Sequence, residues 1–155
     1  MPEFVLFDID TTLLPTYGKQ ESEGFNYHYQ AHGYHPILCY DALTGDLLRA
    51  QLRDGTDYCS KNSAAFMEPL LAEYRENYPD ISLYARGDSG FATPELYDLF
   101  EDNDVKYAIR LKINSTLLKL AQDEDEALTE ATRFNMIDYA VTYGEFFYQA
   151  SSWRA

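Results

Sequence analysis

Cysteine, basic residues and long apolar runs are all scarce in this sequence, and each shortage excludes a class of protein. The chain has 155 residues and two cysteines, Cys39 and Cys59, neither of them in a CxxC or CxxH motif, so no disulfide framework is expected. No apolar run is long enough to span a bilayer. No basic region precedes the first apolar run, which argues against a secretory signal. We therefore expect a cytoplasmic protein with reduced thiols and no membrane contact.

The shortage of positively charged residues is the most informative of the three. Twelve Lys and Arg stand against 26 Asp and Glu, which gives a formal net charge of −14. Such a chain repels polyphosphate at long range, so weak or no binding to DNA is expected of it alone. Divalent metal ions, in contrast, are attracted to clusters of carboxylates.

Apolar and aromatic residues are plentiful, at 46% and 15% of the chain. This composition excludes a disordered or low-complexity chain. The length and apolar content predict a single domain over residues 1–155 with a core of its own.

Hydrophobic periodicity predicts an α/β fold. A strand over 4–10 is followed by a polar stretch over 16–33, which we interpret as a long loop, and then by a hairpin that Gly45 closes. Helices and strands alternate afterwards, with an N-cap at Thr93 and a first-turn proline at Pro94. The pattern ends with an acidic linker over 123–132 and an additional C-terminal strand over 143–151. The expected architecture is a ribonuclease-H-like mixed five-stranded sheet with helices on its faces.

Acidic side chains follow two strands that this architecture places at the centre of the sheet. Asp8 and Asp10 are two residues apart, so a strand puts both carboxylates on one face. Asp88 lies just beyond a later strand, between Gly87 and Gly90. Ligands gather at the carboxyl ends of such strands, and carboxylates there can hold hard divalent ions. The alternative is that each Asp only caps a turn or a helix.

Five motifs occur in the order found in a known family. They are Phe7-Asp8-Ile9-Asp10-Thr11-Thr12, Gly33-Tyr34-His35-Pro36, Asp41-Ala42-Leu43-Thr44-Gly45-Asp46-Leu47-Leu48, Arg86-Gly87-Asp88-Ser89-Gly90-Phe91-Ala92 and Tyr107-Ala108-Ile109-Arg110-Leu111-Lys112. With them the chain, from about Phe4 to Trp153, resembles the DDE transposases of bacterial insertion sequences, and more specifically the DDE transposase group 1 domain.

The resemblance implies a function and a site. Asp10 and Asp88 would be two of three catalytic acids and would bind two Mg²⁺ ions, which activate water or a DNA 3′-hydroxyl against a phosphodiester. The partners implied for the full-length protein are insertion-sequence ends and target DNA, and a homodimer is left open. Whether Asp8 assists Asp10 is also left open.

The third acid of the family is a Glu on a later helix, preceded by Tyr and Arg, and this sequence has no match for it. Glu145 follows Gly144 in a strand-like segment, and Glu130 has no basic residue beside it. We therefore expect a fragment cut before the third ligand, which would lie beyond Ala155, and we expect it to be inactive alone.

Two alternatives remain at this stage. The segment from Phe7 to Leu14 also resembles the first motif of haloacid-dehalogenase-like phosphatases, with Asp8 as nucleophile and Asp10 as general acid. The chain could also be a non-catalytic remnant that acts as a binding module. Arg86 could orient Asp88, touch a phosphate, or form only a surface salt bridge.

Overall fold

A computed structural model of the chain describes residues 3–135 and 140–153. The chain divides into two compact units, Met1–Leu111 and Lys112–Ala155, where the sequence predicted one domain. Each unit is described by itself. Within the described ranges no helix combines the length and the apolar character that crossing a bilayer requires.

The first unit contains a five-stranded mixed sheet and a smaller three-stranded sheet. Its strands are β1 (Phe4–Thr11), β2 (Leu14–Pro15), β3 (Gly24–Asn26), β4 (Ala31–Tyr34), β5 (Ile37–Asp41), β6 (Leu47–Gln51), β7 (Ser82–Gly87) and β8 (Val105–Ile109). Its helices are α1 (Ser63–Asn77) and α2 (Pro94–Asp102), with a short 3₁₀ turn over Ser89–Phe91.

The large sheet has the strand order β6-β5-β1-β7-β8. Strand β1 pairs with β5 antiparallel and with β7 parallel, and β7 pairs with β8 parallel. The tight turn between β5 and β6 has Gly45 at φ 80°, in the left-handed region that favours glycine. The predicted mixed sheet, with its antiparallel hairpin and parallel crossovers, is confirmed.

The core lies between one face of this sheet and the two helices. Val5, Phe7 and Ile9 alternate with half-buried or exposed neighbours along β1, so they share one face of the sheet. They form one cluster with apolar side chains of α1 and α2, among them Phe66 and Phe100. Thr93 caps α2 by accepting a hydrogen bond from the amide of Leu96, as the sequence predicted. The opposite face of β1 carries Asp8 and Asp10.

The prediction of a long loop over 16–33 is wrong, because β3, β4 and β2 form a small antiparallel sheet there. Gly55 packs against this sheet so closely that a Cβ atom would overlap the carbonyl oxygen of Gly33. The side-chain amide of Asn26 donates to the carbonyl of Gly55 at 2.9 Å. These contacts are made by backbone atoms and one polar side chain, which leave no periodic pattern of apolar residues in the sequence.

The second unit contains α3 (Ser115–Leu120) and α4 (Gln122–Asn135). The acidic linker predicted over 123–132 is therefore wrong: the segment is helical. Asp123, Glu124 and Asp125 occupy the first turn of α4, where negative charge interacts favourably with the helix dipole. The additional C-terminal strand over 143–151 is also wrong, because the described residues 140–153 pair with no strand.

Candidate active site

The carboxyl ends of β1 and β7 bring three aspartates to one edge of the large sheet. The parallel register pairs Asp8 with Arg86 and Ile9 with Gly87, so Asp10 and Asp88 stand next in the same register. Adjacent strands lie about 4.8 Å apart, and side chains in register share a face. The backbone therefore sets Asp10 beside Asp88, on the neighbouring strands where the sequence predicted them.

Local hydrogen bonds hold one oxygen of each of these two carboxylates. Oδ1 of Asp10 accepts from the backbone N–H of Thr11 at 2.8 Å. Oδ1 of Asp88 accepts from the N–H of Gly90 at 2.7 Å and so caps the 3₁₀ turn that follows. Within the described residues neither Oδ2 has a hydrogen-bond partner. Asp88 therefore does cap a turn, as the structural alternative holds, whereas Asp10 accepts from its neighbour within β1, and each still keeps one oxygen for a ligand.

Asp8 has a different partner from Asp10, although the two lie on the same face of the same strand. Its Oδ2 accepts from Nη2 of Arg86 at 2.6 Å. The hydrogen bond, together with the negative charge of Asp8, raises the pKa of the Arg86 guanidinium. Of the roles considered for Arg86, the structure shows a salt bridge, and its partner is Asp8 rather than Asp88.

These side chains line an open cleft of about 640 Å³. Its wall also includes Arg110, which follows the end of β8 and whose backbone N–H donates to the carbonyl of Gly87 at 3.2 Å. The sequence analysis did not identify Arg110 as a functional residue. Its position in the sequence could have identified it, because Arg110 follows the end of β8 as Asp88 follows the end of β7.

A tyrosine from the turn between β3 and β4 reaches the end of β1. The hydroxyl of Tyr29 donates to the backbone carbonyl of Thr11 at 3.2 Å. Burial raises the pKa of Tyr29, and the negative charges of Asp10 and Asp88 raise it further. Both carboxylates thus lie within electrostatic reach of one phenol, in agreement with the strand register.

The family model described as "Transposase DDE domain group 1" matches residues 1–155. The chain belongs to this transposase family. A search of curated proteins finds no match.

Two solved structures resemble this transposase DDE domain. A chain of a piggyBac transposase synaptic complex with hairpin DNA is 15% identical, with a TM-score of 0.50 over 74% of this chain and 24% of that chain. A chain of a simian T-cell lymphotropic virus intasome, in complex with PP2A regulatory subunit B56 gamma, is 13% identical, with a TM-score of 0.45 over 88% of this chain and 44% of that one. The transposase domain thus spans less than half the length of either chain.

The family assignment confirms the resemblance, and the likeness to the piggyBac chain agrees with the ribonuclease-H-like fold. The phosphatase alternative receives no support from the comparisons. The large sheet also begins with an antiparallel hairpin, and Asp8, the nucleophile in that alternative, is engaged by Arg86.

The donor set of this DDE domain fits divalent metal ions only in part. Asp10 and Asp88 offer carboxylate oxygens, which hard cations such as Mg²⁺ prefer, and Mg²⁺ commonly binds through one or two carboxylates while retaining waters. No group of three or more His, Cys, Asp or Glu able to hold a metal ion occurs among residues 3–135 and 140–153. Glu130 and Glu145, the two glutamates considered for the third position, belong to the second unit.

Proposed function

We propose that this chain supplies two of the three metal-binding acids of a transposase that cuts and joins DNA at insertion-sequence ends. The observation that carries the proposal is the strand register, which sets Asp10 and Asp88 side by side at the carboxyl end of the sheet. Family membership supplies the reaction class, and DNA ends and target DNA are the proposed partners. The free thiols of Cys39 and Cys59 suit a cytoplasmic location.

The residues of the chain have distinct tasks in this proposal. Asp10 and Asp88 hold metal through Oδ2, while Oδ1 of each is kept in place by a backbone N–H. Mg²⁺, when bound, would supply Lewis-acid activation of the attacking hydroxyl and charge stabilisation at the phosphate. Tyr29 fixes the backbone at Thr11 and thereby supports the orientation of the Asp10 carboxylate.

We further propose that the chain alone does not cleave DNA, because among the residues that the structure describes only two carboxylates of the expected triad lie at the cleft. A two-metal site with one ligand missing binds ions weakly and positions them poorly for an in-line displacement. Binding of metal, rather than turnover, is therefore the property that tests the site.

The test is a titration with Mn²⁺, followed by electron paramagnetic resonance of the free ion. We expect Asp10→Asn and Asp88→Asn each to weaken Mn²⁺ binding by about tenfold or more, because each removes a charged oxygen ligand. Asp46→Asn is the matched control, since it makes the same change of charge in the exposed turn between β5 and β6.

Three outcomes separate the candidate functions. Equal Mn²⁺ affinity in all variants would contradict the metal site and favour the non-catalytic binding module. Release of phosphate from a generic ester would favour the phosphatase. Cleavage of insertion-sequence-end DNA above the level of an Asp10→Ala control would contradict the proposal that the chain is inactive alone.

A further inference from the structure

Two rows of side chains cross the exposed face of the large sheet near its carboxyl edge. The register defines the first row, in which β5, β1, β7 and β8 contribute Tyr40, Asp8, Arg86 and Ala108. The same register, continued by two residues, defines a second row of Leu38, Asp10, Asp88 and Arg110. Each row contains one arginine, and the two arginines differ in what they contact.

In the first row, the side chain of Arg86 already forms an ion pair. Its guanidinium donates to Asp8 at 2.6 Å, so the two charges offset each other. A phosphate could engage Arg86 only by competing with this short ion pair.

Arg110, in the second row, is exposed and lines the cleft. Its side chain has no hydrogen bond or ion pair with any residue of the described ranges. The three aspartates and two arginines of the cleft leave one net negative charge on its wall, and Arg110 is the cation there that has no carboxylate bound to it. The remaining exposed cation of β8, Lys106, lies over the ring of Tyr84 at 5.8 Å and does not line the cleft.

We propose that Arg110 is the phosphate-binding residue of this site and that it contacts the non-bridging oxygens of a DNA phosphodiester beside Asp10 and Asp88. The proposal rests on the proposed function for the identity of the ligand as DNA. A guanidinium presents parallel N–H donors that match two phosphate oxygens, and its charge persists at any physiological pH. Its place in the row of the two carboxylates would hold the phosphodiester at the metal-binding edge. The net charge of −14 makes one such local contact matter more, because the rest of the chain repels the strand.

The experiment measures binding of the full chain to a fluorescent single-stranded oligothymidylate, by anisotropy, in buffer containing Ca²⁺. Ca²⁺ serves as the divalent ion because it supports binding without turnover. Affinity is followed as a function of KCl concentration, since each phosphate contact contributes about 0.7 to the slope of log affinity against log salt for a single strand. The variants are Arg110→Gln, Arg110→Lys and Lys106→Gln.

We expect Arg110→Gln to weaken binding roughly fivefold at low salt and to reduce the slope by about 0.7, which is the loss of one contact. Arg110→Lys should restore most of the slope. Lys106→Gln removes the same charge from the same strand and should leave the slope unchanged. Circular dichroism and thermal unfolding of each variant identify any variant that fails to fold, and if Arg110→Gln does so, Arg110→Ala, which also removes the charge, is compared with Lys106→Gln in its place.

Two results would overturn the proposal. The first is equal affinity and equal slope for Arg110→Gln and Lys106→Gln, and the second is no binding by the wild-type chain at the lowest salt. Failure of the proposed function looks different: the effect of Arg110 would persist, while DNA binding would be indifferent to Ca²⁺ and to Asp10→Asn.

Discussion

The two sheets of the first unit are each stabilised by a different kind of interaction. The five-stranded sheet rests on buried apolar side chains, such as Phe7, Phe66 and Phe100, each of them fully buried. The three-stranded sheet is connected to the loop after β6 by polar contacts: Asn26 of β3 donates to the carbonyl of Gly55, and Arg53 of the loop donates to the carbonyl of His35, the residue after β4. Apolar burial is non-directional, whereas each polar contact depends on one donor and one acceptor. The large sheet should therefore lose stability in proportion to buried area, and the small one through single hydrogen bonds.

The largest expected effect is in the large sheet. Phe7→Ala would leave a cavity between β1 and the helices, where the ring of Phe7 packs edge-on against Tyr74 with centroids 5.2 Å apart. Such a truncation costs about 3–5 kcal/mol of the free energy of unfolding. Urea denaturation followed by circular dichroism measures it, and we expect the whole first unit to unfold at lower urea.

Phe134→Ala is the matched control, because this phenylalanine of α4 is 77% exposed. The same truncation there should change the free energy of unfolding by less than about 0.5 kcal/mol. Equal losses in the two variants would show that the face of β1 bearing Phe7 is not the core.

The next effect loosens the loop after β6, which packs against the small sheet, through the loss of one guanidinium. Arg53 is buried and donates to the carbonyls of His35, Cys59 and Lys61 at 2.9–3.1 Å. Burial lowers its pKa, yet an arginine remains charged at neutral pH. Arg53→Met keeps the unbranched stem of the side chain and leaves these carbonyls without their donor, which we expect to cost about 2–3 kcal/mol.

Amide hydrogen exchange measures which strands lose stability in the Arg53→Met variant. The amides of β3 and β4 should exchange faster in Arg53→Met, while those of β1 and β7 keep their protection. Lys19→Met, an exposed change with the same loss of charge, should leave both sets unchanged. Uniformly faster exchange across both sheets would mean that the two sheets unfold as a single unit.

The same difference explains which parts of the molecule the sequence could predict. The nearly continuous apolar run over 4–10 and the cap at Thr93 are side-chain patterns, and they predicted β1 and α2 correctly. The small sheet depends on the close approach of Gly55 to Gly33, which no side-chain period encodes. Helix α4 was missed because its acidic first turn suggested a solvated linker, although acids in a first turn also favour a helix.

The residues of the candidate site show the same difference between what side-chain patterns predict and what the backbone arrangement decides. The period of two along β1 and the Arg-Gly-Asp motif led to Asp10 and Asp88. The partner of Arg86, the lining position of Arg110 and the contact of Tyr29 all depend on strand register and on a sheet that the sequence did not predict. Sequence thus identified the two carboxylates to which we assign the chemistry, while the residues that contact or adjoin them required coordinates.

The smallest expected effect lies where the two sheets meet. Tyr29→Phe removes the hydrogen bond to the carbonyl of Thr11, whose own N–H holds Asp10, and should cost about 0.5–1.5 kcal/mol of stability. Tyr29 is a positioning residue, so its loss should also weaken Mn²⁺ binding several-fold through a less ordered Asp10 carboxylate. Tyr27→Phe is the matched control: it removes a hydroxyl from a tyrosine of the same turn that is 81% exposed, and both quantities should stay at the wild-type value. If Tyr29→Phe lowered stability alone and left Mn²⁺ affinity untouched, the small sheet would support the fold without tuning the site, and the polar contacts between the two sheets would be purely structural.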